Sequence, residues 1–239
     1  MSVAAAEVAR AIEHTLLRPE ATPQQIDVLC DEAWHHGFKG VCVNPVYVAT
    51  AARRLGVHRA AASIETPLVV AAVGFPLGAS LTATKADEAR RALDDGATEI
   101  DMVAALGALV AGDGKSVRRD IEAVARVVHQ APGKRLLKVI LETAALTSDQ
   151  LILGCRCCAE GEADFVKTST GFHARGGATV EHVLQLCRHA SPLRIKAAGG
   201  IRSAESAMAM LGAGAERIGT SAGVAIMEQL RATLDEGCP

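Results

Sequence analysis

Leu136-Leu137-Lys138-Val139-Ile140-Leu141 and, beyond an amphipathic stretch over 148–161, Asp164-Phe165-Val166-Lys167-Thr168-Ser169 decide the fold. Two short apolar runs flank a helical pattern, which is one strand–helix–strand unit of about 30 residues. Outward from this pair, similar runs recur at 12–15, 40–44, 68–73, 99–103, 194–197 and 217–220. Their centres, taken with residues 138 and 166, are spaced by 29, 28, 31, 37, 28, 30 and 22 residues. Eight such units in 239 residues predict an α/β protein, a (β/α)8 TIM barrel. No Ser- or Pro-rich linker interrupts the series, so residues 1–239 read as one domain with short N- and C-terminal extensions. A doubly wound open sheet is the alternative, weakened because no G-x-G-x-x-G follows the first strong strand.

The intervening segments read as helices. Thr22-Pro23-Gln24-Gln25 places an N-cap before a first-turn proline, with Gln25 at the capping-box position. Residues 83–93 are rich in Ala and charge, and Gly96 supplies a stop. Stretches 113–130, 179–189 and 203–212 space their apolar residues to bury one face.

Composition removes several function classes. Lys and Arg total 25 against 27 Asp and Glu, a net charge of −2, so no global basic field draws nucleic acid. Aromatics are 3% of the chain, which leaves few platforms for stacking bases. No apolar run approaches the ~20 residues of a membrane span, and residues 1–4 open no secretion signal. Seven cysteines, an odd number in a chain able to build a core, point to a reducing, cytoplasmic setting rather than a disulfide scaffold. Cys155-Arg156-Cys157-Cys158 contains a C-x-x-C pair, but no second pair follows at zinc-ribbon spacing, so no metal is expected. His14, His35 and His36 are assigned to packing or solvent.

In a barrel of this kind the chemistry lies at the C-terminal ends of the strands. Three lysines, Lys138, Lys167 and Lys196, sit inside strand patterns, where an unpaired lysine is costly. An acid, Asp101, ends an earlier strand. Desolvation and a second cation both favour a free amine. Lys196 is that cation, and a neutral Lys167 can attack an aldehyde to form a Schiff base. The protonated imine lets the adjacent carbon lose a proton and become an enamine, with Asp101 or a water it holds moving protons. Pairing of Asp101 with Lys138 or Lys196 as a purely structural acid is the competing reading. Thr168-Ser169-Thr170-Gly171, Ala198-Gly199-Gly200 and Gly219-Thr220-Ser221-Ala222-Gly223 end the last three strands, where barrel phosphate sites are often built. Arg175-Gly176-Gly177-Ala178-Thr179 reads as a closing loop or as a plain connection to the next helix.

These segments, with Glu13-His14-Thr15-Leu16-Leu17, Val41-Cys42-Val43-Asn44-Pro45, Val73-Gly74-Phe75-Pro76-Leu77-Gly78 and Glu99-Ile100-Asp101-Met102-Val103, resemble the deoxyribose-phosphate aldolase family from residue 12 to about residue 227. The resemblance implies a class I aldolase without cofactor or metal, interconverting 2-deoxy-D-ribose 5-phosphate with acetaldehyde and D-glyceraldehyde 3-phosphate. It puts Lys167 on the Schiff-base lysine, Asp101 on the proton relay and Lys196 on the second lysine. Thr170, Gly171, Gly199, Gly200, Gly219 and Ser221 fall on substrate and phosphate positions. Glu13, Thr15, Cys42 and Lys138 are read as supporting the pocket. Three departures stand out: Glu13 replaces the usual Asp, Arg18 a Lys, and Ala222 a second Ser. The implied partners are small molecules, the sugar phosphate and acetaldehyde, with neither nucleic acid nor membrane, and a homodimer or higher homo-oligomer fits the Ala-rich helices. Two other readings are another sugar-phosphate barrel enzyme and a non-catalytic metabolite-binding barrel.

Overall fold

Along each strand, apolar residues facing one way alternate with polar or small ones facing the other, and the structure shows why. The structure, a computed structural model, describes residues 3–61 and 66–236. Strands β1 (Ile12–Leu16), β2 (Gly40–Val43), β3 (Leu68–Val73), β4 (Glu99–Val103), β5 (Leu136–Ile140), β6 (Phe165–Lys167), β7 (Arg194–Ala198) and β8 (Arg217–Thr220) pair in chain order, all parallel. Ile12, Glu13 and His14 pair with Ile218, Gly219 and Thr220, which closes the barrel and excludes the open sheet.

Helix α1 (Val3–Ala11) precedes the barrel. Around it run α2 (Pro23–His36), α3 (Val48–Ala61), α4 (Thr82–Asp94), α5 (Leu106–Val110), α6 (Gly114–Gln130), α7 (Ser148–Glu160), α8 (Val180–His189), α9 (Ala204–Gly212) and α10 (Gly223–Glu236). Their starts follow the capping residues. Thr22 accepts from the Gln25 backbone and Gln25 answers in a capping box, with Pro23 in the first turn. Thr147 and Ser203 cap α7 and α9 with the same box, and Thr179 caps α8 by accepting from the His182 N–H alone.

The main core is the layer between strands and helices. Val41, Val69, Ala71, Ile100, Met102, Leu137, Val139, Val166, Ile195 and Ile218 belong to it. The alternate residues turn into the barrel, where Leu17, Cys42, Val70 and Ala72 form a small separate apolar cluster with Phe75 packed on it. Much of the rest of the interior is charged, with Phe165, Val103 and Ile140 among the buried apolar residues on the same inward faces. Lower down, Phe165 lies under the Arg194 guanidinium, 4.0 Å from the ring centroid, with Arg217 at 5.6 Å.

The histidines assigned to packing have partners. His14 Nε2 lies 2.8 Å from Glu32 and its ring tilts against Phe38, while His36 stacks on Phe38. Helix α7 carries Cys155, Cys157 and Cys158 into the core, and all six described cysteines are free thiols. Cys238 lies outside the described residues. Burial pushes the Cys30 and Cys155 thiols up to about 12, and Cys158 well above its usual value. Cys187 is the exposed one. Iodoacetamide on the native protein is therefore expected to alkylate Cys187 and none of the other five, as read by peptide mass mapping; early labelling of Cys155 or Cys158 contradicts the packing of α7.

Candidate active site

Because β4 to β8 present alternate residues inward, charges spaced two apart in sequence meet at the barrel centre. Asp101 and Lys138 are register partners on β4 and β5, and Lys167 and Lys196 on β6 and β7. Asp101 is the hub. Its Oδ1 accepts from Lys138 Nζ at 2.9 Å, and its Oδ2 accepts from both Lys167 Nζ and Lys196 Nζ at 2.7 Å. The two amines share one oxygen, so they lie within twice that distance of each other.

Glu13 on β1 reaches across to Lys196 Nζ and approaches Lys138 Nζ at 3.5 Å. The longer glutamate at this position thus touches both supporting lysines. Glu99, two residues before Asp101 and on the same face, pairs with Lys138 at 2.5 Å. Arg217 on β8 approaches Glu13 at 3.7 Å and also bonds Glu216 at the rim. Inside the barrel, three carboxylates (Glu13, Glu99, Asp101) thus face Lys138, Lys196 and Arg217, and Lys167 is an additional amine.

Burial alone would push the Asp101 carboxyl up, but Lys138, Lys167 and Lys196 outweigh it and hold it well below the usual carboxylate range. Glu13 is lowered in the same way, burial opposing and Lys138 and Lys196 prevailing. The reverse holds for the supporting lysines. Burial disfavours their charge, yet Asp101 and Glu13 raise both above the ordinary lysine value. Asp101 and Glu13 are therefore anions at neutral pH, and Lys138 and Lys196 cations.

Lys167 stands apart in position. It lines a cleft of about 550 Å³ that opens at the strand ends, whereas Lys138 and Lys196 are sealed beneath. Thr15, Thr170, Gly171, Gly199, Gly200, Gly219 and Ser221 line the same cleft, so the residues read from sequence as substrate and phosphate contacts do converge there. Cys42 does not reach it and sits in the interior apolar cluster.

Two glycines are needed for this shape. A Cβ on Gly219 would sit 2.9 Å from Ala198 Cβ and 3.1 Å from Lys196 Cε, so the missing side chain lets β8 lie close against β7 and its lysine stem. A Cβ on Gly177 would sit 2.2 Å from the Gly199 carbonyl oxygen, which instead accepts from Ala178 N. The loop after β6 is therefore laid backbone to backbone on the glycine pair after β7, rather than being a plain connection.

The cleft also continues past the barrel rim to α2, where Arg18, Gln25 and Glu32 line it. Sequence reading missed Glu99 and Arg217, although strand alternation from Asp101 and Gly219 places both inward. It also passed over Glu142, whose buried carboxylate bonds Thr170.

The family model for DeoC/LacD family aldolases matches residues 8–229. The chain belongs to this family. This DeoC/LacD aldolase is 50% identical over 226 residues to the deoxyribose-phosphate aldolase of Thermococcus gammatolerans, covering 94% of this chain and 97% of that one. It is 48% identical over 223 residues to the deoxyribose-phosphate aldolase of Brevibacillus brevis, covering 93% and 96%. Among solved structures, the deoxyribose phosphate aldolase of Aeropyrum pernix, described as a unique tetramer, superposes with a TM-score of 0.85 at 32% identity over 96% of this chain and 93% of that one. Among the described residues of the DeoC/LacD aldolase, no helix is long and apolar enough to cross a membrane.

Proposed function

We propose that the protein cleaves 2-deoxy-D-ribose 5-phosphate reversibly to acetaldehyde and D-glyceraldehyde 3-phosphate through a Schiff base on Lys167. One observation carries the reading: Lys167 Nζ, at the floor of an open cleft, shares Asp101 Oδ2 with a buried Lys196, each at 2.7 Å.

Two ammonium groups on one carboxylate oxygen repel each other. Lys196 is held by Glu13 as a second anion, and Lys167 is the amine that borders the cleft and can meet the carbonyl. The free amine adds to C1 of the open-chain sugar, and the carbinolamine loses water to leave a protonated imine. Removal of the C3 hydroxyl proton breaks the C2–C3 bond, and its electrons pass to the iminium nitrogen as an enamine. D-glyceraldehyde 3-phosphate leaves. Protonation at C2 and addition of water release acetaldehyde and restore Lys167. Asp101, touching the nitrogens of both Lys167 and Lys196, is the group placed to relay these protons, directly or through water. The phosphate is assigned to the glycine-lined end of the cleft at Gly171, Gly199, Gly200, Gly219 and Ser221, with Thr170 beside it. Thr15, Cys42, Glu13 and Lys138 support the pocket, Glu13 and Lys138 by holding the charge balance.

Six free cysteines among the described residues fit a reducing compartment, and a cytoplasmic location is part of this proposal. Self-association belongs to it too and is read by sedimentation of the purified chain.

The test is chemical. Borohydride reduction with acetaldehyde present is expected to place an ethyl group on Lys167, seen by peptide mass spectrometry. A label elsewhere, or none, overturns the assignment.

The electrostatic part has its own test. In Lys196→Met the neighbouring cation is gone, and Asp101 is left to Lys167 and Lys138. With one cation fewer beside Asp101 Oδ2, borohydride trapping of acetaldehyde on Lys167 at pH 7 is expected to slow about tenfold. Trapping at the parental rate removes Lys196 from this role.

A further inference from the structure

The turn after β5 holds a buried acid outside the charged cluster. Glu142 is 1% exposed, and its backbone is left-handed (φ +55°, ψ +58°), a conformation that residues with side chains seldom adopt. The turn aims the carboxylate across to the end of β6. There it accepts from Thr170 Oγ1 at 2.5 Å and from Thr170 N at 3.3 Å to each oxygen. Among the described residues, Thr170 supplies the hydrogen bonds to this carboxylate.

The consequence lies in the hydroxyl. A threonine O–H has one hydrogen to give and two lone pairs to offer. Glu142, an acceptor only, takes the hydrogen. The Phe172 N–H, at 3.1 Å, takes one lone pair. What remains on the hydroxyl of this cleft-lining residue, three positions from Lys167, is a single lone pair. Thr170 is thereby turned from an ambivalent group into an acceptor.

We infer that Glu142 is a positioning residue that fixes Thr170 as an acceptor for a hydroxyl of the substrate, so that the site selects a 2-hydroxyaldehyde over its deoxy analogue. This rests on the aldolase reading above. A carboxylate suits the task and an amide does not. In Glu142→Gln the side-chain NH₂ has to face either Thr170 N or Thr170 Oγ1. In the second case it donates to the hydroxyl and turns its hydrogen towards the cleft.

The experiment runs condensation with acetaldehyde as donor and two acceptors, D-glyceraldehyde 3-phosphate and 3-oxopropyl phosphate, which lacks the 2-hydroxyl. In Glu142→Gln the ratio of kcat/KM for the two acceptors is expected to fall about tenfold from that of the unchanged protein. Trapping of acetaldehyde on Lys167 by borohydride, which needs no acceptor, is expected to persist. An acceptor ratio unchanged both in Glu142→Gln and in Glu142→Leu, which has no acceptor for the Thr170 hydrogen, overturns the inference, whether or not trapping is weakened. If Glu142→Gln does not fold, the pair Thr170→Ser and Thr170→Val carries the test: serine keeps the ratio and valine loses it, and a ratio kept by valine overturns the inference. Failure of trapping in the unchanged protein counts against the aldolase reading itself and is thus distinguishable.

Discussion

Lys167→Met is expected to lose turnover roughly a thousandfold or more and to take up no acetaldehyde label under borohydride, while folding normally. Methionine fills much of the same space but has no amine to bond to a carbonyl carbon. The fold should tolerate the change because Asp101 keeps Lys138 and Lys196, and Lys167 is the amine beyond the three cations that balance the interior carboxylates. Thermal unfolding separates the cases: an unchanged or raised melting temperature with lost turnover fits a chemical role, and a collapse of both points to a structural one. Retained turnover would dismiss the covalent route.

Asp101→Asn is expected to fail on both counts. Asp101 is wholly buried and supplies the oxygens on which three lysines converge. Removing one partner of a buried ionic set leaves uncompensated charge, at a cost of about 3–5 kcal/mol. On the proposed role of Asp101 as proton relay, kcat is expected to fall by a further ~100- to 10,000-fold. The stability loss has a pH signature. The folded carboxyl ionises well below its usual value, so its contribution is present above the unfolded value of about 4. It drains away as pH falls towards the folded value. Urea melts should therefore show a wide gap between the two proteins at pH 7 and a narrower one at pH 3. Lys138 and Lys196 act in the opposite direction: their contribution holds below the unfolded lysine value and is lost only as pH rises beyond it towards their raised folded values. An Asp101→Asn protein as stable as its parent at pH 7 would show that the cluster contributes nothing to holding the barrel.

Much of this was legible because β strands announce themselves by apolar alternation. The strands β3, β4 and β8 have the bounds read from the sequence. The run at β6 misled: six residues read as strand, but the strand stops at Lys167. Thr168 explains the difference. Its hydroxyl bonds both the carbonyl and the N–H of Ala198, so a side chain takes over cross-strand bonding and frees the chain to turn into the cleft. Helices α1 and α3 gave little contrast between faces, because Ala fills five positions of each. The interior lysines were legible because charge within a strand is anomalous by itself. Glu142 was not, since its meaning lies in a backbone angle and a partner 28 residues away. The His14–Glu32 contact was hidden for a like reason, joining a strand to a helix across a turn.

The strict in–out division along the strands also constrains how this chain can go wrong. Shifting any of β4 to β8 by a single position would drive ammonium and carboxylate groups into the oily jacket and bring Val, Ile and Leu side chains to the reaction floor. A misregistered barrel would therefore lose stability and the charge cluster together, because the pairing that buries the apolar faces is the same one that brings three lysines onto Asp101.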